Sequence, residues 1–83
     1  MSTPTLNLRV DTAKLEELQM SDRALTTLGG LTPEQFTELW NEWGDAMTPG
    51  EVEVECIDTD GQLWTGYVTN MVPATRKITV RFS

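Results

Sequence analysis

What this chain lacks narrows its chemistry before any motif is considered. It contains no histidine, so the commonest general base near neutral pH and the commonest metal ligand are both missing. A single cysteine, Cys56, rules out an intramolecular disulfide. Met1–Pro4 carry neither the positive charge nor the apolar stretch of a secretory leader, and a reducing, cytoplasmic setting is the expectation. No apolar run approaches the roughly 20 residues that span a bilayer, so no membrane association is expected. Positive charge is also scarce: six Lys and Arg stand against thirteen Asp and Glu, for a net charge of −7. From Glu34 to Asp60 there is no base at all, while acids fall at Glu34, Glu38, Glu42, Asp45, Glu51, Glu53, Glu55, Asp58 and Asp60. A field of that sign repels nucleic-acid phosphate and anionic lipid and attracts basic surfaces. Direct nucleic-acid binding is therefore not expected.

What is present is enough for one small core. The chain has 83 residues, 39% of them hydrophobic, including three Trp, two Phe and one Tyr. That supports a single domain, 1–83, with an N-terminal strand and helices over 1–48 and a β-meander over 49–83. Thr5–Val10 alternates, which predicts a half-buried strand with Leu6, Leu8 and Val10 inward. Asp11 or Thr12 then caps a helix from about Ala13, with Leu15, Leu18, Leu25 and Leu28 as a loose stripe. Ser21-Asp22 reads as a second N-cap, splitting the segment into two short helices before Gly29-Gly30. The strongest local signal follows. Thr32, Pro33 and Gln35 stand at the cap, first and third positions of a capping box, and Leu31 and Phe36 form a hydrophobic staple. Phe36, Leu39, Trp40 and Trp43 share one face, predicting a helix over 33–43 that stops at Gly44.

After Pro49-Gly50 the period changes from 3.6 to 2. Val52, Val54 and Cys56 alternate with Glu51, Glu53 and Glu55, and Asp60-Gly61 is a favoured pair for a two-residue hairpin turn. Leu63–Val68 returns, Val72–Lys77 makes a second connection, and Ile78–Phe82 is the last strand. The expected fold is α+β: a small antiparallel sheet of three or four strands with two or three N-terminal helices. Gly50, Val52, Val54, Asp60, Gly61, Trp64, Val68, Val80 and Phe82 fall in a pattern that resembles the small SH3-like barrels of the Tudor and KOW kind. That resemblance implies a recognition domain, in some members with an aromatic cage for methylated Lys or Arg. Trp64 and Tyr67 are the aromatic residues available, although three apart they point to opposite strand faces.

No constellation of residues reads as an active site. Asp58-Thr59-Asp60-Gly61 lacks the third ligand and distal Glu of a calcium loop and reads as a turn. Cys56, inward between valines, reads as a small buried hydrophobe. No catalytic residue, metal ligand or cofactor is expected. Two features are candidates for partner binding. Glu34, Glu38 and Glu42 form an i, i+4, i+8 stripe whose mutual repulsion costs roughly 0.2–0.5 kcal/mol per pair. Such a stripe is either a solvated face or a surface that meets Lys and Arg of a partner, with Trp43 near the helix end as an anchor. If Glu51, Glu53 and Glu55 share that side, the acidic surface becomes large enough to imitate phosphate. In the hairpin, a strict two-residue turn pairs Ile57 with Trp64 and Glu53 with Val68, setting Trp64 among Glu53 and Glu55 where a cation would be attracted. One residue more in the loop reverses this.

These features imply a non-enzymatic acidic module or regulatory subunit that docks onto the basic surface of a partner protein. A nucleic-acid-mimicking inhibitor of the kind phages encode, or a small structural component of a viral assembly, is the alternative. The oligomeric state is not readable from the chain.

Overall fold

The structure, a computed structural model, describes residues 5–46 and 52–82. The expectations placed on Met1–Pro4, Pro49, Gly50 and Glu51 lie outside the described residues. The chain runs β1 (Thr5–Asn7), α1 (Thr12–Met20), β2 (Leu25–Thr27), α2 (Pro33–Asp45), β3 (Glu53–Ile57), β4 (Leu63–Val72) and β5 (Lys77–Phe82). The described residues form an α+β fold with two helices and one sheet of five strands in the order β1-β3-β4-β5-β2, curled into a half-barrel.

Two of the differences from expectation are topological. The sheet is mixed, because β1 lies parallel to β3 with Leu6 opposite Cys56, while the other pairings are antiparallel. The chain between α1 and α2 holds a strand in place of a second short helix. Ser21 ends α1, its amide and hydroxyl both reaching the Glu17 carbonyl, and Asp22 adopts a left-handed φ of 57°, which stops the helical path. Leu25–Thr27 then pairs with the free edge of β5, so Leu25 packs against the core. Leu28 is exposed. The two outer edges of the sheet meet at one point, where the Asn7 amide donates to the Gly29 carbonyl at 2.9 Å.

The core lies on the inner face of the curl. Leu6, Leu8, Val52, Val54, Cys56, Val68, Met71, Ile78, Val80 and Phe82 point into it from the strands and their flanks, with Leu15 and Leu18 from α1 and Phe36 and Leu39 from α2. The capping box is present: Thr32 Oγ1 accepts from the Gln35 amide at 3.2 Å and Gln35 Oε1 from the Thr32 amide at 3.0 Å. α2 runs one residue past Gly44 to Asp45, because a single exposed glycine weakens a helix without ending it.

At one close approach within the sheet, a glycine is required. Gly66 lies between β3 and β5, opposite Val54 and Phe82. A Cβ there would stand 2.5 Å from Val80 Cγ1 and 3.2 Å from Cys56 Sγ. Gly66→Ala is expected to destabilise by about 1–3 kcal/mol through overpacking. Gly44→Ala meets nothing within 4 Å and is expected to stabilise by about 0.4–1 kcal/mol through the unfolded chain. Urea denaturation of both variants, read as shifts of opposite sign in the midpoint, checks the pair.

Candidate functional site

The β3–β4 hairpin and the outer face of α2 carry the sequence-predicted site residues, and the hairpin turn sets the geometry of the first. The turn is not the two-residue kind. Asp58 N–H donates to the Gln62 carbonyl at 3.0 Å and Gly61 N–H to the Asp58 carbonyl at 3.1 Å, with Gly61 at a φ of 84°. This is a three-residue loop closed by a glycine bulge. The pairing is accordingly Ile57 with Leu63, Cys56 with Trp64 and Glu53 with Tyr67, one residue away from the two-residue register. Trp64 is turned to the side of Cys56, away from Glu53 and Glu55, which corrects the acid-surrounded placement of its indole. The ring meets Phe82 edge-on at 6.3 Å and 73°.

The cause of the longer loop is Asp58, which is buried although charged. Its Oδ1 accepts from the amides of Asp60 and Gln62, both at 2.9 Å. Its Oδ2 accepts from Thr12 Oγ1 at 2.6 Å and from Trp64 Nε1 at 2.9 Å. Burial alone would raise the carboxyl pKa, but these four donors outweigh it and hold the value down at about 2. Two further bonds fasten the turn to the start of α1 and the segment before it: Thr12 N–H donates to Asp60 Oδ2 at 3.0 Å and Thr59 N–H to the Val10 carbonyl at 3.0 Å. The Asp58 carboxylate is thus fully engaged within the fold. Burial, with a contribution from Glu55, raises the Cys56 thiol to about 12, so it is no nucleophile at neutral pH.

Glu53 and Glu55 are exposed on the outer face of the sheet. They line a shallow hollow of about 310 Å³ together with Leu63 and Thr65, and with Val54 and Trp64, whose side chains turn inward by strand alternation. Across the same outer face the row continues from Glu53 to Tyr67 to Arg81. The face is therefore acidic along β3 and basic along β5. Arg81 is paired with Asp22.

On α2, Glu34, Glu38 and Glu42 are exposed as the spacing predicts. Lys14 and Arg23 pair with Glu17, and Arg81 with Asp22; none of these ion pairs involves Glu34, Glu38 or Glu42, and the base that faces α2 is Arg76, across a cleft from Trp40. The helix buries Phe36 and Leu39 against the inner face of the sheet, whereas Glu53 and Glu55 leave the outer one. The two groups of acids therefore do not merge into one surface. Trp43 packs partly buried against the core, and Trp40, 5.7 Å from it, is the more exposed at 37%. Periodicity places both on the apolar stripe but cannot say which one the sheet covers. Pro73 and Arg76, which approach Trp40 from the β4–β5 turn, carried no signal in the sequence, because only the fold brings that turn to α2.

Among the described residues no group of three or more His, Cys, Asp or Glu is arranged to hold a metal ion, and no helix is long and apolar enough to cross a membrane. In comparisons with known proteins, no family model, no curated protein and no solved structure matches the chain. What the fold and its surfaces define is a class: a curled-sheet α+β domain with an exposed acidic helix stripe.

The Asp58 knot makes stability depend on pH. A carboxyl held at about 2 when folded and near 3.8 when unfolded contributes its full stabilisation above the unfolded value and loses it as pH falls toward 2. The melting temperature is expected to drop across that window. In Asp58→Asn it should be lower at neutral pH and flatter across the same window. An equal acid-side slope in both proteins would show that other carboxyls dominate. Cys56 should resist a thiol-reactive disulfide reagent at pH 8 in the native protein and react at once in urea.

Proposed function

We propose that this chain is a non-enzymatic protein-binding module, or regulatory subunit, that docks onto a basic surface of a partner protein through the exposed face of α2. The observation that supports it is the run Glu34, Glu38 and Glu42, exposed on one capped helix and in none of the described ion pairs. Like charges at this spacing cost the isolated helix stability, and a complementary partner surface removes that cost while steering encounter. The resemblance of 49–82 to SH3-like barrels belongs with the same reading, since those small curled sheets serve as recognition scaffolds. A cytoplasmic, reducing setting fits a lone buried thiol. No catalytic role is proposed for any residue.

The nucleic-acid-mimic reading needs a continuous acidic surface, and the division of the acids between α2 and the outer face of β3 counts against it. The assembly-component reading has no observation of its own.

Tagged protein should retain a basic partner from its native lysate, with and without nuclease, in a salt-sensitive manner. Glu38→Lys and Glu42→Lys should each weaken that partner by about three- to ten-fold. Unchanged affinity in both reversals would reduce the stripe to solvation. Displacement of the partner's own DNA or RNA would instead mark a mimic.

A further inference from the structure

The exposed side of α2 is more than a row of acids. Between the first turns of the helix and the β4–β5 turn lies a cleft of about 240 Å³, lined by Pro33, Phe36, Thr37, Trp40, Pro73 and Arg76. Its walls come from two separate elements. The α2 wall is fixed by the capping box and by Phe36, which is anchored in the core. The other wall is a tight turn in which Thr75 N–H donates to the Val72 carbonyl at 3.3 Å and Arg76 takes a left-handed φ of 57°. Each wall contributes a proline, whose ring fixes φ and offers no N–H. The cleft is thus apolar and preorganised, so an incoming group meets little ordering cost there.

Charge is distributed across it with a direction. A second hollow lined by Pro33, Glu34, Thr37 and Glu38 adjoins the cleft and shares Pro33 and Thr37 with it. One flank therefore presents two carboxylates, and the turn presents the Arg76 guanidinium. Among the described residues Trp40 is the exposed Trp, and this cleft sets it between acids on one flank and a base on the other.

We infer that this cleft is an anchor pocket for a partner's extended segment, which inserts one apolar side chain against Trp40, Phe36 and the two prolines. A Lys or Arg next to that side chain sits on Glu34 and Glu38, and a carboxylate on the other flank faces Arg76. The inference rests on the docking reading above and supplies what charge alone does not: a desolvated centre of the kind that dominates binding energy, and an order of residues in the ligand. Charges on the rim set the encounter rate and the register, and the buried side chain sets the lifetime.

The test uses the full chain labelled with ¹⁵N and three capped synthetic peptides: one with two Lys, a central Leu and a Glu, one with Leu replaced by Ala, and one with the Lys replaced by Glu. The first peptide is expected to move the Trp40 indole resonance and the Thr37 and Arg76 amides. The Ala peptide should bind about ten-fold more weakly, and the all-acid peptide should leave those resonances in place. Trp40→Ala should abolish the response while the rest of the spectrum stays that of the folded protein. Should Trp40→Ala unfold the chain, Thr37→Trp fills the same cleft from the exposed surface and should block the Leu peptide. Equal affinity for the Leu and Ala peptides, or shifts confined to Glu53, Glu55 and Thr65, would overturn the anchor pocket. In that case salt sensitivity and weakening by Glu38→Lys would leave the basic docking reading standing. No response to either Lys-containing peptide at millimolar concentration would overturn both.

Discussion

The four hydrogen bonds to the Asp58 carboxylate are the constraint on which the rest of the molecule depends. One oxygen collects the amides of Asp60 and Gln62 and so shapes the turn; the other collects Thr12 and the Trp64 indole and so joins the turn to the start of α1 and to the inner face of β4. A buried carboxylate with fewer donors would be costly. With four, the charge organises its neighbours. Thr12 is both the first residue of α1 and a ligand of this carboxylate, so the helix that follows β1 is positioned by a turn 46 residues further on.

From that turn the placement of the β3 and β4 side chains follows. A three-residue loop in place of a two-residue one moves the register by a single step, and a single step exchanges the faces of a strand. Trp64 goes inward to Phe82, and Leu63, Thr65 and Tyr67 go outward beside Glu53 and Glu55. The consequence is electrostatic as much as steric. The acids of β3 are left on the outer face with the bases of β5 across from them, while the acids of α2 stand apart from them and outside the described ion pairs. A chain of net charge −7 is thereby resolved into a mixed sheet face and an acidic helix stripe, with Arg76 across the cleft at the edge of that stripe.

The parts of this structure legible in the chain are those where neighbours in sequence decide the outcome. The α2 capping box needs only Thr32, Pro33 and Gln35, and its apolar stripe only the spacing of Phe36, Leu39, Trp40 and Trp43. The alternation of Val52, Val54 and Cys56 with glutamates determines which side chains are buried whatever strand lies beside them. The region between the helices departs from its local signal for a corresponding reason. Leu25–Thr27 is only three residues long, too short to show a strand period although Thr favours strands, and it forms one because β5 offers an open edge to pair with. Asp22, in a left-handed conformation that Asp tolerates, looks in sequence like a helix start although it follows a helix end.

Composition and charge sign are read directly from the chain, and the two amphipathic periods and the N-caps at Asp11 and Thr32 were determined by the sequence alone, because each depends on residues within a turn or two of one another. The mixed sheet order, the parallel pairing of β1 with β3, the hairpin register, and the choice of Trp40 over Trp43 as the exposed ring were decided only in the tertiary structure. Each depends on a contact between segments far apart in the chain: Asp58 with Thr12, Leu6 beside Cys56, and the Pro73–Arg76 turn against α2. Local preference is silent about such contacts, since the free energy that selects them comes from burying surfaces that do not exist until the chain has folded.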